Sequence, residues 1–94
     1  TADVIITNPT HYAVAIRYAP EEMGAPRVVA KGRGFMAQRI KEEGKKHDIT
    51  SVENPELARA LYQTTDIDQE IPAELYPAVA EVLAFVYRLK KKTI

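Results

Sequence analysis

Hydrophobic residues in the first half of the chain come in short runs, rich in Val, Ile and Tyr, that are separated by polar connections containing Pro or Gly. Runs with this composition are typical of β-strands. The pattern predicts four strands, at residues 2–7, 12–18, 27–31 and 48–52. Side chains alternate along the second of them. One face is expected to carry Tyr12, Val14, Ile16 and Tyr18, and the other Ala13, Ala15 and Arg17.

Apolar residues recur at helical spacing in three longer segments. The first spans residues 34–46, the second begins at Asn54, and the third spans residues 72–91. Asn54 is the expected N-cap of the second helix, with Pro55 in its first position. The side chains expected to face the core are Phe35, Met36, Ala37 and Ile40 in the first helix, Leu57, Ala58, Leu61 and Tyr62 in the second, and Leu75, Val79, Val82, Leu83, Val86 and Leu89 in the third.

Two residues are unusual for the helices that contain them. Gly44 is expected to weaken the end of the first helix, because glycine is a poor helix former. Pro77 falls within the third, where a proline beyond the first turn removes a backbone hydrogen bond and crowds the preceding turn. Either that helix starts near Pro77 after a separate turn, or it bends there. Strands interleaved with helices predict a small α/β domain, in which a four-stranded mixed β-sheet is surrounded by about four α-helices.

The composition limits the classes of protein to which the chain can belong. Its 94 residues suffice for a single domain over residues 1–94, and the apolar share of 46% is normal for a globular protein. Thirteen basic residues balance thirteen acidic ones, so no net charge draws the domain toward nucleic acid. The chain has no cysteine and only two histidines, so we expect no disulfide, no metal and no cofactor.

The chain begins at Thr1, without a Met, and enters a predicted strand directly. No stretch approaches the roughly 18 consecutive apolar residues of a membrane span. We therefore expect a fragment of a longer protein, whose targeting or membrane segments lie outside it.

The dipeptide Asn8-Pro9, between the first two strands, offers a specific chemistry. In ordinary deamidation the next backbone nitrogen attacks the Asn side chain, which requires an N–H that proline lacks. The remaining five-membered ring closes when the side-chain nitrogen of Asn8 attacks the backbone carbonyl of the same residue. That reaction forms a succinimide, expels Pro9 as a secondary amine and cuts the chain between the two residues.

A folded turn could accelerate this slow reaction through alignment and through backbone donors directed at the developing oxyanion. Thr10 could hold the turn by hydrogen bonding, and His11 could transfer protons, because histidine titrates near neutrality. The dipeptide alone is a weak signal. Asn-Pro is common in turns, and the chain contains a second copy, Asn54-Pro55, whose ordinary interpretation is a helix start.

The run Asn8-Pro9-Thr10-His11 becomes specific when its neighbours are included. Essentially the whole chain resembles the cytoplasmic C-terminal domain of the FlhB/YscU family, in the segments ADVIITNPTHYAVAIRY, MGAPRVVAKGRGFMAQRI, ENPELARALY and IPAELYPAVAEVLAFVYRLK. Members of this family are switch proteins of the flagellar and type III secretion export apparatus. In its length and in the order of its motifs, the chain is closer to the flagellar branch of the family than to the injectisome branch.

The resemblance implies self-cleavage between Asn8 and Pro9, supported by Thr10 and His11, with fragments 1–8 and 9–94 staying associated. It implies four transmembrane helices before this domain. The domain itself would lie at the cytoplasmic face of the bacterial inner membrane. Cleavage would let the export gate change from rod and hook proteins to filament proteins. The expected partners are other export-apparatus components, rod- and hook-type substrates and a hook-length control protein. Such a domain cuts only itself and is not a turnover enzyme.

The resemblance also implies a hydrophobic patch that binds export signals. The matching positions are Ala25 and Pro26 before the third strand, and Ala80 and Leu83 on the last helix. From the residues alone, Ala25-Pro26 is an ordinary loop dipeptide and Leu83 is a core position. Pro77 departs from the family's smoother helix start, which leaves the shape of the patch open.

Two other functions compete with self-cleavage. In the first, the turn at Asn8-Pro9 only connects two strands and is not cut. The domain is then a non-cleaving protein-binding module that recognises export signals through its hydrophobic patch. In the second, Lys31-Gly32-Arg33-Gly34 holds a nucleotide phosphate between a strand and a helix. A complete phosphate-binding motif is absent, so a tight turn is the favoured interpretation of that segment.

Overall fold

A four-stranded mixed β-sheet lies at the centre of the computed structural model, which describes residues 2–9 and 11–92. The strands are β1 (Val4–Asn8), β2 (Tyr12–Arg17), β3 (Arg27–Arg33) and β4 (Ser51–Glu53). Their order is β3-β2-β1-β4, with β1 antiparallel to β2 and parallel to β4. The prediction of a mixed four-stranded sheet is confirmed. The short link between β1 and β2 is a hairpin connection, and β1 is an inner strand.

The fourth strand begins three residues later than predicted, because the preceding helix ends in a Schellman motif. Asp48 has a φ of 57°, and its N–H donates to the Lys45 carbonyl at 3.3 Å. The Ile49 N–H donates to the Gly44 carbonyl at 2.9 Å. These two bonds satisfy carbonyls at the helix end and keep residues 48–49 out of the sheet. The motif was difficult to predict because Asp48 stands where glycine is usual.

Three α-helices occur among the described residues: α1 (Phe35–Lys46), α2 (Pro55–Thr64) and α3 (Tyr76–Lys92). The expected number of about four was therefore too high. A 3₁₀ turn, Ala73–Leu75, precedes α3, and Pro77 lies in the first turn of that helix, where a missing N–H costs no intrahelical bond. The alternative in which the helix starts near Pro77 after a separate turn is confirmed. No helix in the described part of the chain is long and apolar enough to cross a bilayer.

Helices cover both faces of the sheet. Helices α2 and α3 pack on the face that carries Val14 and Ile16, and α1 packs on the opposite face against Ala13 and Ala15. The predicted alternation along β2 is thus confirmed. The α2/α3 side holds the larger core, formed by Val4, Ile6, Val14, Ile16, Val28, Leu57, Ala58, Leu61, Ile71, Val79, Val82, Leu83 and Val86.

Three residues predicted to face the core are exposed. Phe35 is 75% exposed and Met36 53%, because α1 meets the sheet through a face formed by Ala37 and Gly44, which turns its first two side chains away. Leu89 is 38% exposed because the core cluster ends one helical turn earlier, at Val86. The predictions for these three residues were wrong.

Gly44 has a packing role that its helix propensity did not reveal. It is buried within α1, and a Cβ atom there would collide with the Cδ1 atom of Ile5 in β1. The absence of a side chain therefore allows the helix to approach the sheet closely.

The N-cap of α2 gives a test of local stability. The Asn54 Oδ1 atom accepts a hydrogen bond from the Leu57 N–H at 3.2 Å, and Pro55 follows in the first turn, as predicted. We expect Asn54→Ala to lower the free energy of unfolding by about 1 kcal/mol, because an amide N–H at the helix start loses its acceptor. Chemical denaturation measures this loss, and Asn54→Asp should recover most of it. An alanine variant as stable as the parent would contradict the capping role.

Candidate functional site

The Asn8-Pro9 dipeptide lies where β1 ends and the hairpin turn begins. Asn8 is half-buried and Pro9 is exposed. Asn8 pairs with Tyr12 across the hairpin, and the His11 N–H donates to the Asn8 carbonyl oxygen at 3.1 Å. Through the His11 N–H, the carbonyl that the proposed reaction would attack already has one backbone hydrogen-bond donor. Thr10 lies outside the described residues, so its supporting role stays a prediction.

The chain before the turn is fixed from both sides. Thr7 is buried and pairs with Ala13 in β2 and with Glu53 in β4. Its carbonyl accepts a hydrogen bond from the Asn54 N–H at 2.9 Å. The backbone that leads into Asn8 is thus held by two strands and by the start of α2.

The chain after the turn is also fixed. The His11 carbonyl accepts a hydrogen bond from the Gly34 N–H at 2.9 Å. The Tyr12 ring packs against the Tyr62 ring of α2, with centroids 4.8 Å apart. His11 itself is exposed, and its ring centroid lies 5.9 Å from that of Tyr12. Both arms of the turn are therefore anchored to elements that follow later in the chain.

The backbone of this turn has features that would favour asparagine cyclisation. Negative charge would develop on the Asn8 carbonyl oxygen, where the His11 N–H already points, and a donor placed in advance stabilises such charge. Strands on both sides hold the backbone of Asn8, so that rotation of its side chain is the main freedom left for ring closure. Pro9 removes the competing backbone N–H.

The four residues predicted to bind export signals line one groove. Ala25 and Pro26 form one wall from the loop before β3, and Ala80 and Leu83 form the other from α3. The groove has a volume of about 350 Å³. Ala25 and Leu83 are buried, whereas Ala80 is exposed and Pro26 is half-buried. Leu83 also belongs to the core, so its two interpretations are compatible.

Three tyrosines that were not predicted also line this groove: Tyr18, Tyr76 and Tyr87. Tyr76 and Tyr87 are 42% and 52% exposed. A signal for two of them was present in the sequence, because Tyr76, Ala80, Leu83 and Tyr87 follow a spacing of four, three and four residues. Such spacing places side chains along one stripe of a helix.

The segment from Lys31 to Gly34 is occupied by contacts within the protein. The Lys31 Nζ atom donates to the Tyr62 carbonyl oxygen at 2.8 Å and lies 3.7 Å from a carboxylate oxygen of Asp66. The Gly34 N–H is bonded to His11. The Lys31 Nζ atom and the Gly34 N–H, two of the groups that could bind a phosphate, are thus already engaged within the protein. Among the described residues, no three His, Asp or Glu side chains are grouped as they would be around a metal ion.

Comparison with known proteins identifies the family of the chain. The model of the FlhB HrpN YscU SpaS family matches residues 1–86. The chain is 58% identical over 90 residues to the flagellar biosynthetic protein FlhB of Salmonella typhimurium, covering 96% of this chain and 24% of the relative. It is 54% identical over 91 residues to the same protein of Bacillus subtilis, covering 97% and 25%.

Solved structures give the same result. The cytoplasmic domain of FlhB from Shewanella putrefaciens superposes with a TM-score of 0.94 at 47% identity, over 98% of this chain and 70% of that one. A mutated EscU C-terminal domain superposes with a TM-score of 0.88 at 29% identity, over 90% and 85%. The chain spans about a quarter of the length of the curated relatives it matches. Through its residues 1–86 and its fold, the chain belongs to the FlhB HrpN YscU SpaS family.

Proposed function

We propose that this domain cuts its own backbone once, between Asn8 and Pro9, and then works as the switch domain of a flagellar type III export gate. The observation that carries the proposal is the hydrogen bond from the His11 N–H to the Asn8 carbonyl oxygen, at 3.1 Å. It directs a donor at the atom that must bear negative charge, in a turn whose sequence leaves asparagine cyclisation as the available ring closure.

The reaction requires no cofactor and no water as nucleophile. The Asn8 Nδ2 atom forms a bond to the Asn8 carbonyl carbon and gives up a proton. The bond between that carbon and the Pro9 nitrogen then breaks, and its electron pair goes to the nitrogen, which takes up a proton. Residue 8 becomes a C-terminal succinimide, and Pro9 becomes a new N-terminus. His11, exposed beside the turn, is the proposed carrier of the proton, and Thr10 the proposed support of the turn.

Denaturing mass spectrometry of purified protein tests the cleavage. We expect two masses, for residues 1–8 and 9–94, and N-terminal sequencing should find proline at the start of the larger piece. The second Asn-Pro bond, at Asn54-Pro55, should remain whole in the same sample. A chain that stays intact after prolonged incubation at neutral pH would refute the proposed self-cleavage.

The export role rests on the family. The relatives are flagellar biosynthetic proteins about four times as long as this chain. The proposed full-length protein is anchored in the bacterial inner membrane, with this domain on its cytoplasmic side. Its partners would be other export components, rod- and hook-type substrates and a hook-length control protein. Cleavage would permit the change of export from rod and hook proteins to filament proteins.

The apolar groove supports a second candidate, a module that binds export signals whether or not the turn is cut. Ala25, Pro26, Ala80 and Leu83 are its proposed contact residues. The two candidates differ in the effect of Asn8→Ala, which should block the switch in the first and leave partner selection unchanged in the second.

Substitution of Ala80 tests the groove with little effect on the core. Ala80 is exposed and lines the groove. We expect Ala80→Asp to weaken binding of a rod- or hook-type substrate at least about tenfold, because a carboxylate would be desolvated against an apolar ligand. Titration calorimetry measures the affinity. Ala73→Asp, at another exposed alanine outside the groove, is the matched control. Equal affinities for all three proteins would argue against the groove.

A further inference from the structure

We infer that Gly34 is a positioning residue for the cleavage turn, which it reaches through the backbone of His11. The inference rests on the proposed self-cleavage and adds a residue that lies 26 positions after Asn8 in the sequence. Gly34 acts on the turn through His11, the residue that donates a hydrogen bond to the Asn8 carbonyl.

Gly34 connects two parts of the structure by its backbone alone. Its N–H donates to the His11 carbonyl at 2.9 Å, and its carbonyl accepts the Gln38 N–H of α1 at 3.2 Å. One side of the residue is thus fixed to the start of a helix that packs on the sheet, and the other side is fixed to the turn. The position of α1 is thereby transmitted to His11.

His11 passes this constraint to the scissile carbonyl. Its carbonyl is held by Gly34, and its N–H donates to the Asn8 oxygen at 3.1 Å. Rotation of the Gly34 N–H away from the turn would release His11, whose N–H would then lose its alignment. Because a small misplacement of a catalytic group can cost one or two orders of magnitude in rate, this bond should affect cleavage strongly.

The backbone angles of Gly34 restrict this role to glycine. Its φ is 57° and its ψ is −126°, a combination that L-residues with a side chain rarely adopt. A Cβ added at Gly34 would meet no atom within 4 Å. The free-energy cost of a side chain there would therefore come from backbone conformation and not from packing. A substitution at this position thus tests the backbone angles alone.

The experiment compares the two enantiomers of alanine at position 34. Gly34→Ala must leave the observed angles or bear strain, whereas D-alanine, introduced by chemical synthesis, favours these angles because they mirror an extended conformation of L-residues. Gly24→Ala is the matched control, since a Cβ there has only an ordinary contact, 3.9 Å from Glu70 Oε2. Each chain is refolded from denaturant, and the first-order rate at which residues 1–8 and 9–94 appear is measured.

We expect Gly34→Ala to cleave about tenfold more slowly than the parent. The D-alanine protein and Gly24→Ala should cleave within about twofold of the parent, since neither change disturbs the backbone of the turn. Equal rates for both enantiomers would overturn the inference. So would a Gly34→Ala chain that fails to fold, because the glycine would then serve the fold and not the turn.

A second readout does not depend on cleavage. In an Asn8→Ala background the backbone carbonyl of residue 8 remains, and amide hydrogen exchange reports the His11 N–H directly. Adding Gly34→Ala should lower the protection of that amide about tenfold while the ladder between β1 and β2 keeps its protection. Unchanged protection of His11 refutes the positioning role. If the parent chain is not cut, but Gly34→Ala still lowers the protection of the His11 amide, then self-cleavage is refuted and the positioning role is not.

Discussion

An Asn8→Ala protein is expected to remain a single chain of 94 residues under conditions in which the parent separates into two. Alanine has no side-chain nitrogen, so no five-membered ring can form at the Asn8 carbonyl. The fold should survive, because Asn8 is half-buried at the end of a strand and its backbone pairing with Tyr12 does not need the side chain. Denaturing mass spectrometry after incubation measures the fraction cut.

Asn54 provides the control for this substitution within the same chain. It also precedes a proline, but its side-chain oxygen caps α2 through the Leu57 N–H, which holds the amide at the helix start. Asn54→Ala keeps the backbone N–H that holds Thr7, so it should lose stability and keep cleavage. Asn8→Ala should lose cleavage and keep stability. Cleavage that persists in Asn8→Ala would require a different nucleophile and would end the cyclisation mechanism.

The second large effect concerns the short peptide on the N-terminal side of the proposed cut. Fragment 1–8 contains β1, which lies between β2 and β4, and we expect it to stay in place after cleavage. Val4 and Ile6 are completely buried on one face and Ile5 is 2% exposed on the other. At about 1.5–3 kcal/mol for each such side chain, their burial contributes roughly 5–9 kcal/mol. That amount is comparable with the whole stability of an ordinary domain, about 5–15 kcal/mol.

Size-exclusion chromatography of the cut protein should therefore show both fragments in one peak without denaturant and in two peaks with it. Residues 9–94 alone should not refold, as judged by circular dichroism, and a synthetic 1–8 peptide should restore the signal. The matched control is the same peptide with Ile6→Asp, which would bury a charge and should fail. Folding of residues 9–94 without the peptide would contradict this central role of β1.

Much of the fold followed from local signals in the sequence. The strand alternation, the cap at Asn54 and the dipeptide chemistry at Asn8-Pro9 each depend on a few neighbouring residues, whose preferences do not need the rest of the chain. The helical spacing from Tyr76 to Tyr87 was equally local, and it could have revealed these two of the three tyrosines in the groove.

The errors arose where the outcome depended on distant contacts. Phe35 and Met36 fit a helical pattern, but their exposure depended on which face of α1 met the sheet, and Gly44 against Ile5 settled that choice. Helical spacing defines several possible faces, and only packing selects one.

The sequence by itself determined most of the elements and the chemistry proposed for Asn8-Pro9, because short-range sterics and hydrogen bonding act between neighbours. Only the tertiary structure decided that Gly34 and Asn54 hold the two arms of the turn at Asn8-Pro9, and that Ala25 faces Ala80 across a groove. These residues are separated by tens of positions in the chain, and no periodicity encodes their meeting. The physical reason is that such contacts form only when the whole sheet and its helices pack together.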